Sequence, residues 1–232
     1  MKINRCLTNI TFTYIRIQVY LYSIQIIQLS INLDTMKIRK ILLGFTFVMG
    51  ILLLNTSTFA QKSMRLKTDQ SKVEWTGKKV TGEHNGAVLL KSGSLIMKGA
   101  NVIGGEFVMD MSSITNKDIT NEKYRENLVN HLKSPDFFSV VKFPEAKFVV
   151  TGSKTEKNGM LMVKGKLTIK GITNPLEFGV DTHKHGESYH MSGVMVIDRT
   201  KYDIKYGSGS FFDNLGDRTI SDNFELKFDL MF

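Results

Sequence analysis

Between Asp118 and Phe143 the chain changes its hydrophobic period, and that change constrains the fold more than any other feature. Nearly everywhere else after residue 60 apolar and polar residues alternate, the period of a half-buried strand. Here Tyr124, Leu128 and Leu132 fall instead on one stripe of a 3.6-residue repeat. The spacing predicts a helix within 118–139. Ser134 precedes Pro135, so the helix must stop there, with Ser134-Pro135-Asp136 suited to open a short second turn. Phe137, Phe138 and Phe143 follow at once. A long β-array interrupted by one helix with an aromatic cluster at its end reads as a closed sheet carrying a plug or lid.

The first 60 residues read as export and upstream sequence. Met36 opens a complete signal peptide, 36–60. Lys37, Arg39 and Lys40 form its basic start, Ile41 to Leu54 its apolar stretch, and Thr58-Phe59-Ala60 a cleavage site before Gln61. The apolar stretch is shorter than the roughly 20 residues a bilayer requires, so no stable membrane span is expected. Residues 1–35 have no role ahead of such a start and read as an extension from a start codon placed too early. Cleavage near Ala60-Gln61 implies a periplasmic or secreted protein. The only cysteine, Cys6, lies in the leader, so the exported chain has no disulfide, thiol nucleophile or thiolate ligand. The leader also holds six of the 31 Lys and Arg but one of the 22 Asp and Glu, which leaves residues 61–232 with a net charge of +4. Those charges are interspersed, which argues against nucleic acid as a partner.

Residues 61–232 are expected to form one domain. Strand candidates lie at 70–80, 84–91, 93–98, 103–114, 145–152, 159–170, 174–183, 188–198 and 221–231. Asn158-Gly159 predicts a type I′ hairpin turn, and Gly104-Gly105, His185-Gly186 and Gly207-Ser208-Gly209 punctuate other segments. Hairpin spacing implies antiparallel neighbours, since parallel strands would need repeated crossovers. Parity sorts the faces: Phe107, Met109 and Met111 oppose Glu106 and Asp110, while Leu161, Val163, Leu167 and Ile169 oppose Lys164, Lys166 and Lys170. Phe224, Leu226, Phe228 and Leu230 oppose Glu225, Lys227 and Asp229. About eight strands with one apolar face make a sandwich or a barrel, and an eight-stranded barrel can hold a small ligand. Gly159 to Lys170 would run to roughly 40 Å when extended, which favours a long, narrow interior.

Several blocks occur in order. They include Val73-Glu74-Trp75-Thr76-Gly77, His84-Asn85-Gly86, Gly104-Gly105-Glu106-Phe107, and His131-Leu132-Lys133-Ser134-Pro135-Asp136-Phe137-Phe138. Later come Gly165 to Gly171, Asp198-Arg199-Thr200-Lys201-Tyr202 and Gly216-Asp217-Arg218-Thr219-Ile220. In this order the chain resembles the YceI family of lipid-binding proteins over residues 65–232. The resemblance implies an all-β fold, an extended, lipocalin-like, eight-stranded antiparallel barrel with a helical insertion. It also implies an interior that takes a polyisoprenoid or another long amphiphile.

Candidate lining residues for such a lipid are Trp75, Phe107, Met109, Met111, Leu128, Leu132, Phe137, Phe138, Phe148, Val163, Leu167, Ile169, Phe178 and Phe228. Candidate head-group residues at a rim are His84, Asp110, His131, Lys133 and Arg199. Each has a plainer role as ordinary core or solvated surface, and Gly165 and Gly171 read as strand bends. No catalytic residue is assigned. His183 and His185 share strand parity and His190 lies near, but no further ligand has diagnostic spacing, so no metal is expected. The expected partner is a long-chain isoprenoid or fatty lipid, with a quinone-like ligand in the same class, no nucleic acid, and a homodimer left open. Transport, storage or stress protection would follow. The rival readings are an enzyme acting on an isoprenoid lipid and a stress-related scaffold whose barrel is filled by side chains.

Overall fold

The computed structural model describes residues 18–26, 61–186 and 188–232, without the side chain of His185. Residues 18–26 are helical. The signal-peptide reading of 36–60 and most of the 1–35 extension lie outside the described residues. The barrel sits in a compact unit, Phe59–Phe232. All its ladders and its buried core fall within that unit, which is the mark of a part that folds on its own.

Nine strands follow one another: β1 (Gln61–Arg65), β2 (Lys72–Lys79), β3 (Gly82–Lys98), β4 (Asn101–Asn116), β5 (Glu145–Thr155), β6 (Leu161–Ile169), β7 (Ile172–His185), β8 (Ser188–Asp198) and β9 (Ile220–Met231). A single helix, Glu122–Lys133, separates β4 from β5. Hydrogen-bonded neighbours run β1-β3-β2-β9-β8-β7-β6-β5-β4, and β4 pairs back onto β3, so β2 to β9 close into an antiparallel barrel. Closure leaves β2 to β9 without the open edge that would otherwise recruit another chain, and among the described residues only the short β1 stands outside the ring.

Alternation builds the wall as expected. Along β6 Leu161, Val163, Gly165, Leu167 and Ile169 are buried while Lys164 and Lys166 are exposed, and Leu167 is 0 % accessible. Outward charges pair across strands, as in Lys164–Glu177 at 3.5 Å and Lys78–Glu225 at 3.0 Å. An apolar interior with a charged exterior inverts the pattern of a membrane-spanning barrel. No helix among the described residues is long and apolar enough to cross a membrane.

Four details differ from the sequence expectation. The candidates 84–91 and 93–98 are one strand, β3, bent through Ser92 and Gly93 by shifts in its register with β4. There β2 leaves β3 and β1 takes over, with Ser94 opposite Arg65 and Leu66 N–H bonded to Gly93 O at 3.0 Å. Strand β1 itself was not expected, because Met64 is its one buried side chain and a lone apolar residue has no period. The Asn158-Gly159 turn is not type I′. Gly159 has φ +86° whereas Asn158 stays at negative φ, and the bonds Gly159 N–H to Glu156 O and Glu156 N–H to Met160 O make a three-residue loop closed by glycine. Finally, the helix covers only the middle of 118–139. Asn121 caps it by accepting from Tyr124 N–H at 3.1 Å, and Ser134 leaves the helix with ψ 168°. The Ser134 hydroxyl then accepts from Asp136 N–H at 3.3 Å, opening the tight turn that delivers Phe137.

Candidate functional site: the barrel interior

Strand direction gives the barrel two unlike ends. The helix, the β2–β3 and β6–β7 turns and the long β8–β9 connection lie at one end, here the mouth. The β3–β4, β5–β6 and β7–β8 turns lie at the other. Two apolar voids occupy the interior. The upper one, of about 100 Å³, lies toward the mouth between Trp75, Met111, Leu132, Phe137, Phe138, Leu167, Ile169, Arg199 and Phe224. The lower one, of about 50 Å³, lies among Phe107, Phe148, Val163, Phe178, Met195 and Phe228. Met109 lines both, so its flexible thioether stands between them.

The lower void has a rigid aromatic wall. Phe148, Phe178 and Phe228 form a chain of rings with centroids 5.3 and 5.5 Å apart. Gly165 packs against that wall: a Cβ there would overlap the edge of the Phe148 ring and lie 2.5 Å from Val149 O, which explains glycine at this buried strand position. Beyond it Phe107 meets Phe232 edge to face at 6.1 Å.

The upper void is framed by irregular elements. On β2 the Trp75 indole donates to Thr115 O at 3.0 Å and lies over Gly86, its partner on β3. A Cβ on Gly86 would come within 2.7 Å of the indole and would overlap Thr115 O, which explains the glycine of the His-Asn-Gly block. The same void is lined by Arg199, 3 % accessible. Its Nε donates to Ser221 O (2.9 Å), Nη1 to Ile204 O (2.8 Å) and Tyr206 O (2.9 Å), and Nη2 to Ile220 O (3.0 Å). Burial lowers its pKa, while Asp222 and Asp198 oppose that shift. Asp222 Oδ1 lies 3.6 Å from Nη2 and is buried without a hydrogen bond, whereas Oδ2 accepts from Ser210 Oγ at 2.5 Å. Burial would raise the Asp222 pKa, but the Ser208 and Ser210 hydroxyls and Arg199 hold it below the usual carboxylate value. The Asp198-Arg199-Thr200-Lys201-Tyr202 block is thus a local device. Asp198 caps a 3-10 turn through Thr200 N–H (3.0 Å) and Oγ1 (2.6 Å), Tyr202 is buried, and Arg199 ties the β8–β9 connection to β9.

Among the lining candidates, Trp75, Met111, Leu132, Phe137, Phe138, Leu167 and Ile169 lie on the upper void, Phe107, Phe148, Val163, Phe178 and Phe228 on the lower, and Met109 on both. Leu128 is half-buried on the helix and lines neither.

The rim candidates do not converge. Arg199 is on the void wall, but its donors are engaged by backbone carbonyls. His84 belongs to a polar knot beside the helix start, with Nδ1 2.7 Å from Asp118 Oδ2. Asp118 Oδ1 also accepts from Asn85 N–H (2.9 Å) and Asn116 Nδ2 (2.6 Å). Asp110 faces outward. The Ser112 hydroxyl at 2.6 Å and then its N–H hold that carboxyl below its usual pKa, with Lys91 and Lys133 adding a weaker pull. His131 stacks edge-on between Phe137 (5.0 Å) and Tyr206 (4.5 Å), outside the void. Lys133, like Asp110, lines neither void.

Sequence reasoning missed Val88, Ile114, Ala146, Ile204 and Ile220 on the upper wall, and Val73, Leu95, Val102, Val150 and Val180 on the lower. Strand parity could have found most of these. Ile204 sits in the β8–β9 connection, where no period operates. The His183 and His190 rings stack at 6.1 Å and His190 meets Asp229 at 2.7 Å. Among the described residues no group of three His, Cys, Asp or Glu side chains is placed to hold a metal.

Comparison with known proteins follows from this geometry. A solved structure of Burkholderia cenocepacia BcnA superposes with a TM-score of 0.56 at 22 % identity, over 72 % of this chain and 99 % of that one. A polyisoprenoid binding domain from Saccharophagus degradans gives 0.54 at 14 % identity, over 75 % and 97 %. Likeness at this identity speaks for the fold. A UPF0312 protein of Shewanella denitrificans is 31 % identical over 104 residues, 40 % of this chain and 53 % of that protein. The UPF0312 protein of Shewanella sp. strain ANA-3 is 39 % identical over 57 residues, 25 % of this chain and 29 % of its own length. The chain therefore spans about half, or less, of these curated relatives. The YceI-like domain matches residues 64–232, all of the closed barrel, and the chain belongs to that family.

Proposed function

We propose that the protein is an exported carrier that holds a polyisoprenoid, or an uncharged amphiphile of similar length, along the axis of its barrel. The observation that carries this reading is the pair of apolar voids with Met109 as their shared wall, where a filled barrel would have continuous side-chain packing. Affinity would come from apolar area removed from water, at about 25 cal/mol per Å². A solved relative in fold is described as a polyisoprenoid binding domain, which supports the same ligand class. Export rests on the 36–60 segment with its basic start, apolar stretch and small-residue cleavage site. The enzyme reading is weaker, because among the described residues Arg199 is the one titratable side chain lining either void and its donors are engaged.

The test uses residues 61–232. Gentle extraction and mass spectrometry should find a long-chain lipid with the purified protein, and the delipidated protein should bind a fluorescent polyprenol saturably. Met109→Trp, which fills space on both voids, should weaken that binding while the fold persists. An absence of both co-purified lipid and saturable binding would establish the filled-barrel scaffold instead.

A further inference from the structure

The two ends of the barrel differ in what they expose. Val80, Val141, Tyr206, Phe211 and Phe212 are large apolar side chains in the open in three of the connections around the mouth, and exposed Ile172 opens β7 beside the fourth. Val141 is fully accessible, and Phe211 and Phe212 are 49 % and 51 % accessible. Among the described residues the connections at the far end expose only Met160, with Ile103 on the adjoining strand. Single exposed apolar residues need no explanation, but a ring of them around one opening does.

We infer that this collar docks on the surface of a lipid bilayer, so that the mouth faces the source of the ligand; this rests on the carrier reading above. Lysines sit beside the apolar tips: the Lys205 ammonium lies 5.1 Å from the Phe211 ring, Lys142 follows Val141, and Lys79 precedes Val80. Lys79 and Lys142 form no ion pair with a carboxylate among the described residues. Rings at the acyl boundary with ammonium groups at the phosphate level are the arrangement of an interfacial anchor. A path of rings then leads inward, from exposed Tyr206 to Phe137 (5.7 Å), Phe138 (6.4 Å) and Phe224 (6.3 Å) on the upper void. A protein partner would require neither the ring of tips around an opening nor this apolar continuity. Asp213 and Asp217 lie in the same connection, so the collar is not a basic patch. Insertion of apolar tips carries the binding, and anionic lipid strengthens it through the lysines.

Cosedimentation of residues 61–232 with vesicles of phosphatidylcholine and phosphatidylglycerol in equal parts tests the inference. The wild type should bind, and pure phosphatidylcholine should bind it more weakly. Phe211→Ser with Phe212→Ser should weaken vesicle binding by about tenfold or more for the pair, with the circular dichroism spectrum and solution binding of the polyprenol probe retained. Met160→Ser at the far end should change nothing. A second readout guards against a folding defect: Phe212→Trp should shift its emission to the blue on vesicles and be quenched by brominated lipid, after subtraction of Trp75. Wild type that stays in the supernatant, or a double variant that sediments like wild type, overturns the docking. Loss of polyprenol binding with vesicle docking intact overturns the carrier reading alone.

Discussion

The mouth half and the far half of this barrel reach their apolar interior by different means. Around the lower void every wall residue comes from a strand, and the rings of Phe148, Phe178 and Phe228 brace one another directly. Around the upper void the helix turn, Arg199 and the β8–β9 connection intrude, and irregular backbone is held by polar groups. Regular pairing satisfies strand backbone automatically, whereas irregular backbone near a core must find each donor separately. The mouth can therefore be loosened by changing one polar side chain, and the far half only by disturbing its packing.

The largest expected effect breaks the mouth. Arg199→Met keeps a similar length but leaves the Ile204, Tyr206, Ile220 and Ser221 carbonyls without their donor and Asp222 without its cation. The cost should be about 3–5 kcal/mol by denaturant unfolding. Amide exchange should accelerate in 199–222 before it does in β5 to β7. Uniform acceleration across the barrel would contradict the division between the halves.

The next effect probes the far half through packing. Gly165→Ala places a methyl in overlap with the edge of the Phe148 ring, so either the strand or the ring must move. Overpacking of this kind costs about 1–3 kcal/mol. If Phe148 turns into the lower void, the cost falls toward the low end of that range and polyprenol binding weakens with it. Unchanged stability together with unchanged binding would show that the lower wall is not close-packed.

The same contrast explains what was legible in the sequence. Period-2 alternation named Phe107, Val163, Leu167 and Phe228 as inward, because a strand fixes each side chain's face by its position alone. It failed at Lys91-Ser92-Gly93-Ser94, where a register shift in β3 offsets the alternation and one strand looks like two. The rim residues were harder to place. His84, Asp110 and Lys133 all miss the void: Asp118 holds His84, Asp110 alternates with buried Met109 and Met111 and is bonded by Ser112, and Lys133 ends the helix. No period encodes such partners. Leu128 fell on the helix stripe, but only the end of that stripe, at Leu132, reaches the barrel interior.

The smallest effect concerns the polar knot that anchors the connection from β4 to the helix. Burial would raise the Asp118 pKa, but the Asn85 N–H, the His84 ring and the Asn116 amide together hold it below the usual carboxylate value. A carboxyl depressed in the folded state contributes stability above its unfolded pKa of about 3.9, and that contribution disappears as pH falls through the lower folded value. Asp118→Asn keeps one oxygen to accept from Asn85 and Asn116 but presents an amide to His84 Nδ1, so the knot keeps its shape and loses its charge. The variant should be less stable by about 1 kcal/mol near neutral pH. It should also lose less stability than wild type between pH 5 and the acid limit, roughly pH 2, so that the two unfolding curves converge in acid. Because the knot lies outside both voids, polyprenol binding at neutral pH should not change. Parallel curves at all pH values would mean that Asp118 is anchored by shape alone, and that the charge in the mouth's framework is idle.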